Sequence, residues 1–420
     1  MSYLKLSTGV GLGFVSYVLF YILSWYIATK LGDPTEFGDY SVAIAVIAFF
    51  SSFALIGSNK LALEVLPQYI AKHEYGIAHG FIRRGIQWCL SGTIILVIVA
   101  ALTYEGYKLV FDPRHHHPIL VGILFTPIIS LALFFVEVIN AVGYYIISSI
   151  IYRVGLPIFI FGIIVLVGLS GAGVTDTSAV VATGIGWSIL AFVLLLAFGL
   201  KHIRHIIKAT PEYNTSTWIN KGIPFWATQI AYYGINSVGV ILLELIHPDE
   251  GTVGIFSIAL QTASFFILFT TSSNRYLLPM ISASLQDKEQ VSTILRKRRD
   301  FIICAGLAFF ALMILWGKPI LGLFGTEYQQ AYIAMILLTF AYIGQTLYGI
   351  VPYLLIYCGH KAYTLRILGI LLLLTAVLTS ALIPFLHVMG AALGFALAVL
   401  VVCIYQEMVL RKLTGFRILF

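Results

Sequence analysis

Charge is what this chain has least of. Only 10% of its 420 residues are Asp, Glu, Lys or Arg, against about 25% in a soluble domain. With 60% hydrophobic residues and a mean hydropathy of +0.97, it has too little polar surface to face water, and most of its exterior must face lipid. Cysteine is scarce as well. Cys89, Cys304, Cys358 and Cys403 all fall within or beside apolar stretches, and none has metal-ligand spacing. Buried thiols behave as small hydrophobes, so we expect no disulfide, no metal and no cofactor. Long polar loops are missing too. A membrane polymerase or lipid-linked glycosyltransferase needs a sizeable outer loop for acceptor and catalytic groups, so an enzyme is not expected.

What is present is a series of apolar stretches. A hydrocarbon core takes about 20 apolar residues per helix. Twelve stretches qualify, over 8–30, 39–58, 86–104, 118–142, 146–171, 178–200, 222–246, 252–273, 300–317, 330–352, 362–385 and 388–409. The first is longer than a signal-peptide core and is read as a spanning helix. With the amino terminus placed in the cytoplasm, the outer segments hold only Lys30, Lys108, Arg114 and Lys318 of the 25 Lys and Arg. The positive-inside rule then makes both termini cytoplasmic. The net charge of +7 is thereby a topology signal and not a mark of nucleic-acid binding.

The chain also repeats itself. At an offset of 216, Gly38, Ser41, Ala43, Phe49, Phe50 and Phe53 meet Gly254, Ser257, Ala259, Phe265, Phe266 and Phe269. Each copy ends in Ser-Asn-cation, at Ser58-Asn59-Lys60 and, after a one-residue slip, at Ser273-Asn274-Arg275. The same offset relates Lys5 to Lys221 and Gly143 to Gly359. Duplication at half the chain length is a mark of transporters among membrane chains. The expected fold is all-α, with about twelve transmembrane helices in two six-helix lobes. The lobes are expected over 1–200 and 221–409, with a cytoplasmic linker over 201–220 as hinge and a cytoplasmic tail over 410–420. Six is even, so both halves share one orientation, and a cavity between them can open alternately to each side.

The cations Lys60, Arg275, Arg153, Arg366 and Lys221 fall at inner helix ends of both halves, where acids are scarce. Such a rim favours an anion, and phosphate most readily meets Arg forks and Lys point charges. Tyr17, Tyr21 and Trp25 stand four apart on one face of the first span, either as a platform for sugar rings or as interhelical packing with Trp25 in the interfacial belt. Glu137 and Glu244 lie inside spans, where the bilayer penalises charge. Each is a candidate for ion coupling, or else reaches an interface or an ion pair. Acids at Asp33, Glu36, Asp39, Asp249 and Glu250 precede helices and cap them. His115-His116-His117 lacks a carboxylate or Cys to complete a metal site and reads as solvated loop. Val65, Leu66, Tyr69 and Ile70 form an amphipathic face expected to rest on the inner leaflet, and the run Arg296-Lys297-Arg298-Arg299 is expected to fix topology. Pro127, Pro157, Pro224, Pro352 and Pro384 are expected to kink or break their helices.

The pattern Gly-x-[Tyr/Phe]-Ser-[Val/Ile]-Ala opening the second and eighth spans resembles the multidrug/oligosaccharidyl-lipid/polysaccharide flippase superfamily. So do the run Leu-Gly-Leu-Phe-Gly-Thr-Glu-Tyr at 321–328 and the turn Tyr357-Cys358-Gly359-His360. Within it the chain is most similar to O-antigen-type polysaccharide-unit flippases. The resemblance implies a multi-pass protein of the bacterial inner membrane that moves a polyprenyl-diphosphate-linked oligosaccharide from inner to outer leaflet, with other polysaccharide-assembly proteins as candidate partners. It also implies cationic cavity residues on the first, second and eighth spans. Lys60 and Arg275 match two of these, while the first span has no cation before Lys30. A drug antiporter of the same fold is the alternative, against which stands the absence of an acid in the first span.

Overall fold

A computed structural model describes residues 3–108, 118–171, 173–199, 204–246, 251–283 and 287–419, and these contain helices and no strand. Ten of the helical stretches are long and apolar enough to cross a membrane. Two observations reconcile ten with the expected twelve. The fourth span is split into Ile119–Ile123 and Thr126–Ala141, each too short to qualify alone. The stretch Lys361–Thr414 holds two spans, because 54 residues of helix would reach about 80 Å across a core of about 30 Å. It turns at His387, whose φ of 51° and ψ of −125° are not helical. A β-carbon on Gly390 would meet the Leu382 carbonyl at 2.4 Å, and one on Gly394 would meet the Thr379 nitrogen at 2.6 Å. Contacts that pair residues symmetrically about a turn define an antiparallel hairpin.

Four of the five prolines stand at or beside interruptions of their helices, as expected. Pro127, Pro157 and Pro352 each sit in the first turn of a helix that restarts after an interruption. At Pro127 and Pro352 the missing N–H has no intrahelical partner to lose. Pro384 lies three residues before the His387 turn, while Pro224 stays inside the continuous helix Thr215–Ile246. Before Pro157 the fifth span carries a π-helical turn, Ile151–Gly155, between Tyr145–Ile150 and Leu156–Leu169.

The two copies of the repeat break at different registers. In the first, Pro34–Ala54 ends at a turn with Ile56 at φ 48° and Gly57 at φ 72°, and Ser58–Ala71 begins a new helix. In the second, Gly251–Ser264 breaks at Phe265–Phe266, so Ser273 and Asn274 fall inside the helix Ile267–Ala283. The openings of the two copies touch. A β-carbon on Gly254 would lie 2.0 Å from the Pro34 carbonyl and 3.0 Å from the Gly38 nitrogen, which explains glycine at that repeated position.

By contacts the chain divides into two compact units, one of residues 11–31 and 39–234, the other of 1–10, 32–38 and 235–420. The first buries Ile27, Leu61, Leu66, Phe81 and Phe134; the second buries Phe256, Phe266, Tyr342 and Ile350. Leu169, Leu315 and Phe385 are 78%, 73% and 80% exposed on apolar helices, as lipid-facing side chains are. The division falls at Gly234–Ile235 rather than within 201–220, because the chain after residue 208 is bonded to the first unit. Glu212 N donates to Gly76 O at 2.9 Å, and His79 Nδ1 lies 2.7 Å from Ala209 O. Trp218 Nε1 donates to Tyr69 Oη at 3.0 Å, and Trp226 Nε1 to Phe53 O at 2.8 Å. Residues 209–226 thus belong to the first unit instead of forming a free hinge.

Candidate functional site

The first unit gathers several of the polar side chains singled out by sequence. The turn at Ile56–Gly57 needs positive φ, which glycine supplies and isoleucine resists. It is held from outside, since a β-carbon on Gly57 would lie 2.4 Å from the carbonyl of Gly222, the residue after Lys221. The turn starts a helix at Ser58, so Lys60 stands in that helix's first turn. The positive end of the helix dipole and the ammonium together favour an anion. The anion present is Glu137, which projects from Thr126–Ala141 and accepts a hydrogen bond from Lys60 Nζ. Asn140, one turn on, donates from Nδ2 to Glu137 Oε2 at 2.8 Å. Of the two ways the sequence left open for Glu137, the geometry is that of an ion pair. Lys60 is accordingly not an unpaired cation, and the inner end of the second span does hold an acid.

Arg153 lies on the π-helical turn, and its guanidinium reaches the first span. A β-carbon on Gly13 would lie 2.8 Å from Arg153 Nη1. Gly13 is four residues before Tyr17, so Gly13, Tyr17, Tyr21 and Trp25 form one ridge of the helix Tyr3–Leu31. The basic group therefore joins the end of the aromatic row, and Trp25 is exposed. Tyr152 precedes Arg153 on the same π-helical turn. Tyr152 also lines a cavity of 160 Å³ inside this unit, walled by Phe125, Ile129, Thr183, Trp187 and Tyr233. Leu133 of the same wall precedes Glu137 by one turn of the helix.

The remaining candidates are dispersed. Lys221 is exposed in Thr215–Ile246, beside the Gly222–Gly57 contact. Arg366, in the second unit, lies over the Tyr363 ring at 5.1 Å. Glu244 lies near the end of Thr215–Ile246, in the second unit. Arg275 is in the helix Ile267–Ala283, but its side chain lies outside the described residues, as do His115–His117 and residues 247–250. Val65 and Leu66, expected on the leaflet, are instead packed inside the protein, because the helix Ser58–Ala71 is a core element with Leu61 and Ala62 on the same buried face.

One residue was misassigned by its neighbours in sequence. Arg298, read as part of a topology-fixing run, is 4% exposed. Its Nη1 donates to Leu347 O at 2.7 Å and its Nη2 to Thr346 O at 2.8 Å, with Ser273 Oγ and Asn274 Oδ1 at 3.3 and 3.4 Å. It caps the carbonyl end of Tyr332–Tyr348, where a cation complements the dipole. A lone Arg within a basic run carries no signal of burial, although the helical register placing Val291, Leu295, Arg298 and Ile302 on one face does.

The model of the family described as polysaccharide biosynthesis protein matches residues 6–286, about two thirds of the chain. This chain belongs to that family. No curated protein matches this member of the polysaccharide biosynthesis family. Among solved structures it is similar to an inward-facing multidrug resistance MATE family transporter of the MOP superfamily, with a TM-score of 0.77 and 13% identity over 95% of this chain and 96% of that one. An outward-facing MATE transporter of the same superfamily gives 0.66 at 12% identity over 97% and 96%. A mutant MATE transporter from Vibrio cholerae gives 0.63 at 14% over 97% and 97%. At such identities the likeness establishes the fold alone, which is shared with these MATE transporters.

Proposed function

We propose that this protein is a flippase that carries a polyprenyl-diphosphate-linked oligosaccharide from the inner to the outer leaflet by alternating access. The observation that carries the reading is Arg153 at the head of the Gly13–Tyr17–Tyr21–Trp25 ridge, in a chain matched by the polysaccharide biosynthesis family over 6–286. A diphosphate and several sugars lose hydration without replacement in hydrocarbon, whereas the polyprenyl tail does not. The headgroup therefore needs a wet, cationic path while the tail stays in lipid. Lys60 and Arg153 serve the diphosphate in the first unit, with Lys221 of the same unit as a further contact, and the aromatic ridge meets the sugars.

The solved structures sharing the fold are transporters, some of them described as multidrug transporters, which favours a cation-coupled drug antiporter as the second reading. The two predict opposite substrate charge. In proteoliposomes of the purified protein, movement of a fluorescent polyprenyl-diphosphate sugar to the far leaflet is expected. Lys60→Ala and Arg153→Ala are expected to reduce its rate by at least tenfold. Uptake of cationic dyes with no lipid movement would decide for the antiporter.

A further inference from the structure

The ion pair of the first unit is an anion site that the protein fills with its own carboxylate. Lys60 is 42% exposed at its side chain, so an incoming anion can reach it, while Glu137 is 15% exposed and has little water to retreat into. If a phosphate takes Lys60, Glu137 keeps only the amide of Asn140 among its described hydrogen bonds. A carboxylate stranded in this way, inside a membrane span, is strongly disfavoured unless it is neutralised. The means of neutralising it lie beside it. Asn140 Oδ1 is buried and has no hydrogen-bond partner among the described residues. A half-turn of that amide would offer Oδ1 to a carboxyl O–H, replacing the N–H that the carboxylate now accepts.

We infer that Glu137 is the proton site of transport, exchanged off Lys60 by the substrate's diphosphate. This rests on the lipid-diphosphate reading and adds to it. The step is an exchange. The Lys60–Glu137 hydrogen bond breaks and a Lys60–phosphate hydrogen bond forms. One proton from water joins Glu137, which is left a neutral carboxyl held by Asn140. Anion and proton therefore bind together, and each tightens the binding of the other.

The groups on the elements packed against Thr126–Ala141 are these. Glu64, one turn beyond Lys60, is exposed. Tyr69 accepts from Trp218; on the third span Tyr75 is bonded to His73, His79 lies against the Ala209 carbonyl, Arg83 is exposed, Arg84 is bonded to Gln87 and lies over Tyr213, and Cys89 is packed on Ser130. Asp176 opens the sixth span. Tyr144, Tyr145, Tyr152 and Arg153 stand on the fifth, with the Arg153 guanidinium at Gly13. Lys60 is the cation bonded directly to Glu137, and its loss is what the proton replaces.

The test is calorimetric titration of the full-length protein in nanodiscs with farnesyl diphosphate, in two buffers of different ionisation heat. It is run between about pH 7.5 and 8.5, where the ligand's phosphate, with a second pKa near 6, stays ionised. Wild type is expected to take up about one proton per ligand, its affinity falling about tenfold for each pH unit gained. Glu137→Gln is expected to bind without proton uptake and with an affinity independent of pH, and Lys60→Gln to bind at least tenfold more weakly. Proton uptake unchanged in Glu137→Gln, or unweakened binding by Lys60→Gln, overturns the inference. Binding by wild type with no proton taken up overturns it alone and leaves the flippase reading standing; that measurement decides even if a variant fails to fold. Absence of binding by the wild type rejects the flippase reading together with the inference.

Discussion

Arg298 brings a full charge into the protein, and its hydrogen-bond partners among the described residues are neutral oxygens. Removing it strands the carbonyls of Thr346 and Leu347, at about 1–3 kcal/mol for each buried group left unsatisfied. Arg298→Ala is expected to lower the unfolding temperature in detergent markedly. Arg298→Lys should recover little, because an ammonium cannot span two carbonyls as a planar fork does. At Gly13 the expected effect is on binding and not on folding. Gly13→Val would displace the Arg153 guanidinium, a flexible group that can move aside, so the unfolding temperature should hold while affinity for a lipid diphosphate falls about tenfold. An unchanged affinity would mean that Arg153 does not serve the headgroup. These residues also mark how far sequence reaches. Lys60 and Glu137 are both recognisable as charged groups in apolar surroundings, but 77 positions separate them and only the packing of Ser58–Ala71 on Thr126–Ala141 joins them. Arg298 was hidden for the opposite reason, since three basic neighbours made its charge look like that of a surface.

The helices themselves were largely legible, because twenty apolar residues in a row admit few other forms in lipid. Their interruptions were legible where proline marks them, at 127, 157 and 352. The π-helical turn Ile151–Gly155 was not, because its composition is that of any span. Pro157 has no N–H to offer the carbonyl of Arg153, which frees that turn to widen. Pro157→Ala restores the donor and lets the turn tighten to α-helix. A one-residue change of register swings Tyr152 and Arg153 by about 100°. Transport is expected to fall severalfold while thermal stability holds or rises. Unchanged transport would assign the widened turn to packing alone. The turns at Ile56–Gly57 and His387 were illegible for a related reason. Both place a bulky or polar residue at positive φ, which tertiary contacts must impose.

For the molecule as a whole, the cation asymmetry yields a prediction that needs no substrate. With both termini cytoplasmic as proposed, a cysteine at Lys318 in a cysteine-free background should react with a membrane-impermeant maleimide added outside, and a cysteine at Lys208 should not. The reverse labelling would invert every assignment of inner and outer mouth. The duplication was the most informative single feature of the sequence, yet it hid a divergence. The first copy restarts its helix just before Lys60, and the second runs an unbroken helix through Ser273 and Asn274, where Arg298 grips them. The ancestral unit, if it once paired with an identical twin, would have carried two equal sites. The present chain differs between them: Lys60 of the first copy pairs with Glu137, and Ser273 and Asn274 of the second are held by Arg298. The halves are therefore not interchangeable at this break: two copies of the first would lack the Arg298 clasp, and two copies of the second would lack the Lys60–Glu137 pair.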